Sequence, residues 1–155
     1  MRPARLPLLI AVLTLAASAG PRGIPPRTSR AEYFVTSFTH SLAVAATLVP
    51  PEQVRRRFGA SVAREYVVVE IGVYSKTRAP VEVWRRDFEL RLRPSGAVVK
   101  PSAPDDFPEL LPEGVATRPV AGYLFFPIRE SGRESCEVEY TGNGVWFSLP
   151  VRYQR

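Results

Sequence analysis

The chain of 155 residues has one cysteine, one histidine, one asparagine and only two lysines. A lone Cys136 excludes an intramolecular disulfide and any thiolate-cluster metal site. A lone His40, with no second His or Cys beside it, argues against a transition-metal centre and reads as a polar residue at a strand edge. Triad members need not be adjacent, but nothing around His40 supports a Ser/His/Asp arrangement. Internal repeats and low-complexity tracts are also missing. Lysine is so scarce that arginine supplies nearly all of the net charge of +6. The arginines are dispersed among glutamates rather than clustered on a face, which speaks against nucleic acid as a partner. No catalytic residue, metal or cofactor is assigned.

One apolar run does stand out. Arg2 and Arg5, the stretch from Leu8 to Ala17 and then Ala17-Ser18-Ala19 before Gly20 form the three regions of a cleavable secretory signal. The run falls short of the roughly 20 apolar residues a spanning helix needs, and Pro7 interrupts it. Pro3 and Ala4 separate the arginines, so the twin-arginine route is not indicated, and no cysteine follows the cut to take a lipid. Residues 1–19 are therefore expected to be removed, leaving a secreted or periplasmic protein with no membrane span in its mature form. Its 19 basic and 15 acidic side chains would give it a net charge of +4. Such a chain is long enough to bury a core as one domain.

Residues 20–30 hold three prolines, two glycines and three arginines and read as a flexible lead-in, with the domain at 31–155. Tyr33–Phe38 and Leu42–Val49 are strand-like. Pro50-Pro51 at a helix start, Val54 and Phe58 four residues apart and Gly59 at the end predict one short helix over 51–58. From Glu65 onward strands follow one another: 66–74, 81–84, 88–93, 97–100, 120–128, 135–140 and 145–153. Val67, Val69, Ile71 and Val73 share a face, and Phe88, Leu90 and Leu92 alternate with charged residues, as in sheets with one dry side. Turns fall at Arg78–Pro80, Pro94–Gly96, Ser131–Arg133 and Thr141–Gly144, the last a hairpin signal. Residues 101–119, broken by prolines, read as an irregular crossover between two packed sheets.

The segments Glu65-Tyr-Val-Val-Val-Glu-Ile-Gly-Val-Tyr74, Asp87-Phe-Glu-Leu90, Gly122-Tyr-Leu-Phe-Phe-Pro127 and Val138-Glu-Tyr140 occur in an order that resembles a bacterial immunoglobulin-like family. These are secreted domains of unknown function grouped as DUF4352, and more loosely the telokin-like sandwiches. The resemblance covers about residues 65–150. The asparagine usual after the first long strand is replaced by Tyr74-Ser75-Lys76-Thr77, and the helix at 51–58 is not a general feature of that family. The resemblance implies an all-β, immunoglobulin-like antiparallel β-sandwich of about 7–8 strands, at a cell surface or in the periplasm, with no catalytic residues to carry over.

Four groups of side chains are candidates for function. In Ser135–Tyr140 alternation places Cys136 with Val138 and Tyr140, so it reads as a buried apolar residue, with an intermolecular disulfide as the competing reading. Asp105 and Asp106, with Glu109 and Glu113 nearby, offer oxygen ligands for calcium, but at the wrong spacing for an EF-hand; acidic loop residues are usually only solvated. Arg55, Arg56 and Arg57 form a candidate anion patch, set against a solvated helix face on which Glu52 can pair with Arg56. Alternation fails around Tyr123, Phe125, Trp84 and Trp146. These aromatics either form an exposed platform for a protein partner or a glycan, or lie beneath the helix, the crossover or the N-terminal segment. The expected function is a non-catalytic binding module using a sheet edge or this aromatic face. The alternatives are a glycan-binding accessory domain with exposed tryptophan, or a small exported hydrolase or redox protein using His40 or Cys136.

Overall fold

The computed structural model describes residues 20–128 and 135–153; the expected leader at 1–19 and the expected turn at Ser131–Arg133 lie outside them. In chain order the elements are β1 (Val35–Phe38), β2 (Leu42–Leu48), α1 (Pro51–Phe58), α2 (Ala60–Glu65), β3 (Tyr66–Ser75), β4 (Val81–Val83), β5 (Phe88–Leu92), β6 (Val98–Val99), β7 (Gly114–Ala116), β8 (Val120–Pro127), β9 (Cys136–Gly142) and β10 (Val145–Val151). One sheet has the order β1-β2-β3-β8, the second β10-β9-β5-β6, and β4 pairs with β7 in a two-stranded patch. The chain passes from β3 in the first sheet to β5 in the second, returns so that β8 pairs with β3, and crosses again so that β9 pairs with β5. That is the connectivity of immunoglobulin-like sandwiches.

Between the sheets lies one apolar core. Val67, Val69, Ile71 and Val73 of β3 face Leu90, Val138 and Leu149 of the second sheet. The rings of Phe88 and Tyr140 lie 4.8 Å apart, with Phe147 stacked 6.0 Å beyond. On β9 the other side is wet: Glu139 and Glu137 accept from Arg91 and Arg93 of the neighbouring strand segment. Cys136 is buried on the dry side, and burial pushes its thiol up to about 11. It therefore stays protonated and unreactive at neutral pH.

The first sheet differs because both of its faces are buried. Val68, Tyr123 and Phe125 point away from the main core into a second one, formed with Val49, Val54, Val62, Ala63 and Leu110. The covering layer is α1, α2, the crossover and the N-terminal segment. Gly59 separates the two helices with a φ of 100°, a conformation that favours glycine, and its carbonyl accepts from Ala63. The second helix was not predicted because six residues with one apolar pair show no period. Nor was β7: Gly114–Ala116 pairs with Val81–Val83 inside the segment expected to be irregular. Three residues carry no alternation to read.

Residues 20–30 are a strap rather than a loose lead-in. Arg22 and Gly23 donate to the Pro108 carbonyl, and Ile24 donates to Ala121 on the free edge of β8. Arg27 grips Glu70 with two hydrogen bonds of 2.9 and 2.8 Å, and its guanidinium lies 4.6 Å from the Tyr33 ring centroid. The Tyr74 hydroxyl donates to the Arg27 carbonyl, and Ser29 and Glu32 close a capping box just beyond. Glu70 is only 9% exposed, the one buried charged side chain among the described residues. A charge in that position requires a partner.

The sole asparagine also has a structural role. Asn143-Gly144 forms the two-residue β9–β10 turn, with φ of 51° and 71°. Its side-chain amide accepts from the Glu82 N–H and donates to the Glu82 carbonyl, which ties the hairpin to β4.

Arg27→Ala should cost about 2–3 kcal/mol in urea unfolding, because it strands a buried carboxylate. The pair Arg27→Met with Glu70→Leu should recover most of that loss. Equal losses in the single and double variants would show that the strap contributes packing only.

Candidate functional site

The two sheets separate the aromatics singled out in the sequence. Tyr123 and Phe125 are 6% and 1% exposed on the outward side of the first sheet, under the covering layer. Phe58 meets them edge-on at 5.4 and 5.0 Å, and Phe107 stacks on Phe125 at 5.2 Å. Trp146 is 62% exposed on the outward side of the second sheet, at the opposite surface of the sandwich. Trp84 is half-buried, its indole N–H donating to Glu82 and the Arg86 guanidinium lying 5.0 Å from its ring centroid. A common platform of Trp146, Tyr123, Phe125 and Trp84 is thus not assembled. The apolar outward face of β8 is satisfied by burial instead.

The arginine triplet is divided as well. Arg57 turns inward to donate to the Tyr123 hydroxyl at 3.1 Å, with Glu109 at 3.7 Å, while Arg55 and Arg56 are exposed on α1. Glu52 and Arg56 form no ion pair among the described residues. The acidic group is split in the same way: Glu109 pairs with Arg57 and Glu113 with Arg85, while Asp105 and Asp106 stay exposed. Among the described residues no three or more His, Cys, Asp or Glu side chains are grouped to hold a metal. His40 is exposed in the β1–β2 turn and Cys136 is buried in β9, so the two do not form an accessible pair.

What the covering layer does create is a cleft of about 310 Å³ at the edge of the sandwich. Gly122 is one reason it forms there: the backbone of Leu111 runs so close that a Cβ on residue 122 would sit 2.4 Å from Leu111 Cα. This approach lets the crossover bond to the free edge of β8, Leu111 donating to Tyr123 and Tyr123 to Glu109. Further back along the crossover, Ser102 donates to the Phe125 carbonyl at 2.8 Å. Between these attachments the chain bows away from β8. The cleft that remains has Leu110, Leu124, Phe125, Pro101 and Ala103 as apolar lining, with Arg85, Arg86, Lys100 and Glu113 around it.

The charges around the cleft are not balanced. Glu113 accepts from the Arg85 guanidinium at 2.6 Å and from its backbone N–H at 2.9 Å, which holds this carboxyl below the usual carboxylate range. Arg86 makes no ion pair among the described residues, and the nearest acid to the Lys100 ammonium is Glu89 at 3.7 Å. In the β8 wall, Phe125 turns its backbone polar groups outward; its carbonyl is taken by Ser102, whereas its N–H has no partner among the described residues. Phe125, read from the sequence either as an exposed platform residue or as lying beneath the cover, takes the second place and borders the cleft from within the second core. Arg85, Arg86, Lys100 and Glu113 come from three separated segments, and no spacing in the sequence connects them.

No family model matches the chain, and no curated protein matches it. Among solved structures it is similar to ycdA of Bacillus subtilis, a "putative lipoprotein", with a TM-score of 0.53 and 18% identity over 76% of this chain. The chain spans 38% of that protein's length. At this identity the likeness bears on the fold alone, and it agrees with the sandwich.

Phe125→Ala should lower the unfolding free energy by about 3–5 kcal/mol, and Tyr123→Ala by about 3, as for other buried aromatics. Trp146→Ala should stay within about 0.5 kcal/mol of the parent. A neutral Phe125→Ala variant would return that ring to the surface and contradict the second core.

Proposed function

We propose that the protein is a secreted or periplasmic, non-catalytic binding module of the DUF4352-like, immunoglobulin-like kind, and that its ligand seat is the cleft between β8 and the crossover. The single observation behind this reading is the composition of the cleft. Unbalanced cations and an unpaired backbone N–H converge on an apolar lining, the combination by which ligand sites fix orientation and gain affinity. The catalytic inventory does not converge on it: the one histidine is at a distant turn and the one thiol is buried in the main core. Export rests on the leader-like residues 1–19, and among the described residues no helix is long and apolar enough to cross a membrane.

A second reading is favoured by a separate observation. Trp146 is a large aromatic left exposed on β10, an edge strand of the second sheet. It fits docking of a protein partner or, less well without neighbouring aromatics, a glycan. Other edges are less open to strand addition: β8 is covered by the strap and crossover, β6 has two residues, and Pro150 removes a donor from β10 itself.

Two variants separate these readings. Ser102→Trp places a bulky side chain from an exposed position into the cleft, and Trp146→Ala strips the β10 face. With the immobilised protein and an envelope extract, Ser102→Trp should abolish specific capture while Trp146→Ala preserves it. The reverse pattern would transfer the function to the β10 face.

A further inference from the structure

We infer that the cleft takes an organic anion with a compact apolar body, its charged head held by Arg86 and Lys100 and its body laid against Pro101 and Ala103. This rests on the reading of the cleft as the ligand seat. The chemical class follows from which charges are already spent. Arg85 and Glu113 neutralise each other through a two-point contact and act as a fixed post at the rim. Among the lining residues three cations meet one carboxylate, while just outside the lining Glu89 lies 3.7 Å from the Lys100 ammonium and Asp87 feels the Arg86 charge.

Arg86 is pre-placed for this role. Its guanidinium lies over the Trp84 ring, which restricts the side chain and leaves its edge donors free to meet a planar anion. Lys100 contributes a mobile point charge on the other segment. The Phe125 N–H supplies a donor in the wall, and an acceptor seated there would satisfy a buried backbone group that is otherwise unpaired. A neutral apolar ligand would leave the Arg86 guanidinium and this amide unanswered, and a small inorganic anion would leave the apolar lining uncovered. An anion carrying an apolar body answers both.

The test uses three probes of matched length: octanoate, 1-octanol and octylammonium. Binding to the purified protein is followed by the amide NMR shift of Phe125. Octanoate should shift this signal saturably and bind at least tenfold more tightly than 1-octanol, with octylammonium weakest. The double substitution Arg86→Gln, Lys100→Gln changes exposed charges without touching the core. It should weaken octanoate at least tenfold, leave 1-octanol unchanged and leave the melting temperature in place. If 1-octanol binds as tightly as octanoate, the cleft is a ligand seat but the anionic class is wrong. If octanoate leaves Phe125 unmoved while Ser102→Trp still abolishes capture, the inference falls and the proposed function survives. If Ser102→Trp has no effect on capture, the cleft itself is the wrong seat.

Discussion

The structure depends on one constraint: the first sheet is apolar on both faces, so it needs a cover on the side away from the second sheet. An ordinary sandwich places polar side chains there. Here β3 and β8 present Val68, Tyr123 and Phe125 outward, together with a single carboxylate, Glu70. Two short helices, the proline-rich crossover and the N-terminal strap are the elements that answer this. Arg27 reaches in to neutralise Glu70, Arg57 reaches in to the Tyr123 hydroxyl, and the crossover bonds to the β8 edge.

From this cover the candidate site follows. A crossover that had to be irregular, because of its prolines, cannot bond to β8 at every residue. Where it attaches, at Ser102 and again at Glu109 and Leu111, the edge of the sheet is closed; where it bows, the cleft opens. The rim cations come from the turn that leads into β5 and from the end of β6, on the side of the second sheet, and the rim carboxylate Glu113 comes from the crossover. Hence the cleft spans the seam between sheets, and each of its walls is fixed by the packing of a different layer. A site built this way holds its cations in place without spending ligand-binding energy to order them.

Much of the architecture was legible in the sequence because periodicity reports burial. Strict alternation in β9 and the Asn143-Gly144 turn gave that hairpin, and Pro51, Val54, Phe58 and Gly59 gave α1. Periodicity loses its meaning in the run Ala121–Phe126, since a side chain pointing away from one core looks the same whether water or a second layer meets it. That is why the sequence left open whether Tyr123 and Phe125 face a partner or lie beneath a cover. The strap escaped notice for a different reason. Its docking depends on one ion pair and a few backbone hydrogen bonds rather than on apolar content, and composition does not register such contacts. Arg86 and Lys100 are brought to one end of the β5–β6 hairpin, which pairs Leu90 with Val99, and only Glu113 reaches them through tertiary structure alone.

Native-state hydrogen exchange at the amides that attach the cover to β8, those of Ile24, Ser102 and Leu111, tests the central claim most directly. If the cover completes a second core, these amides should exchange only as slowly as those in the middle of β3, through global unfolding. Exchange orders of magnitude faster than β3, with β3 itself still protected, would mean that the layer opens on its own. Tyr123 and Phe125 would then be available to a partner, and the cleft would be a product of one transient arrangement.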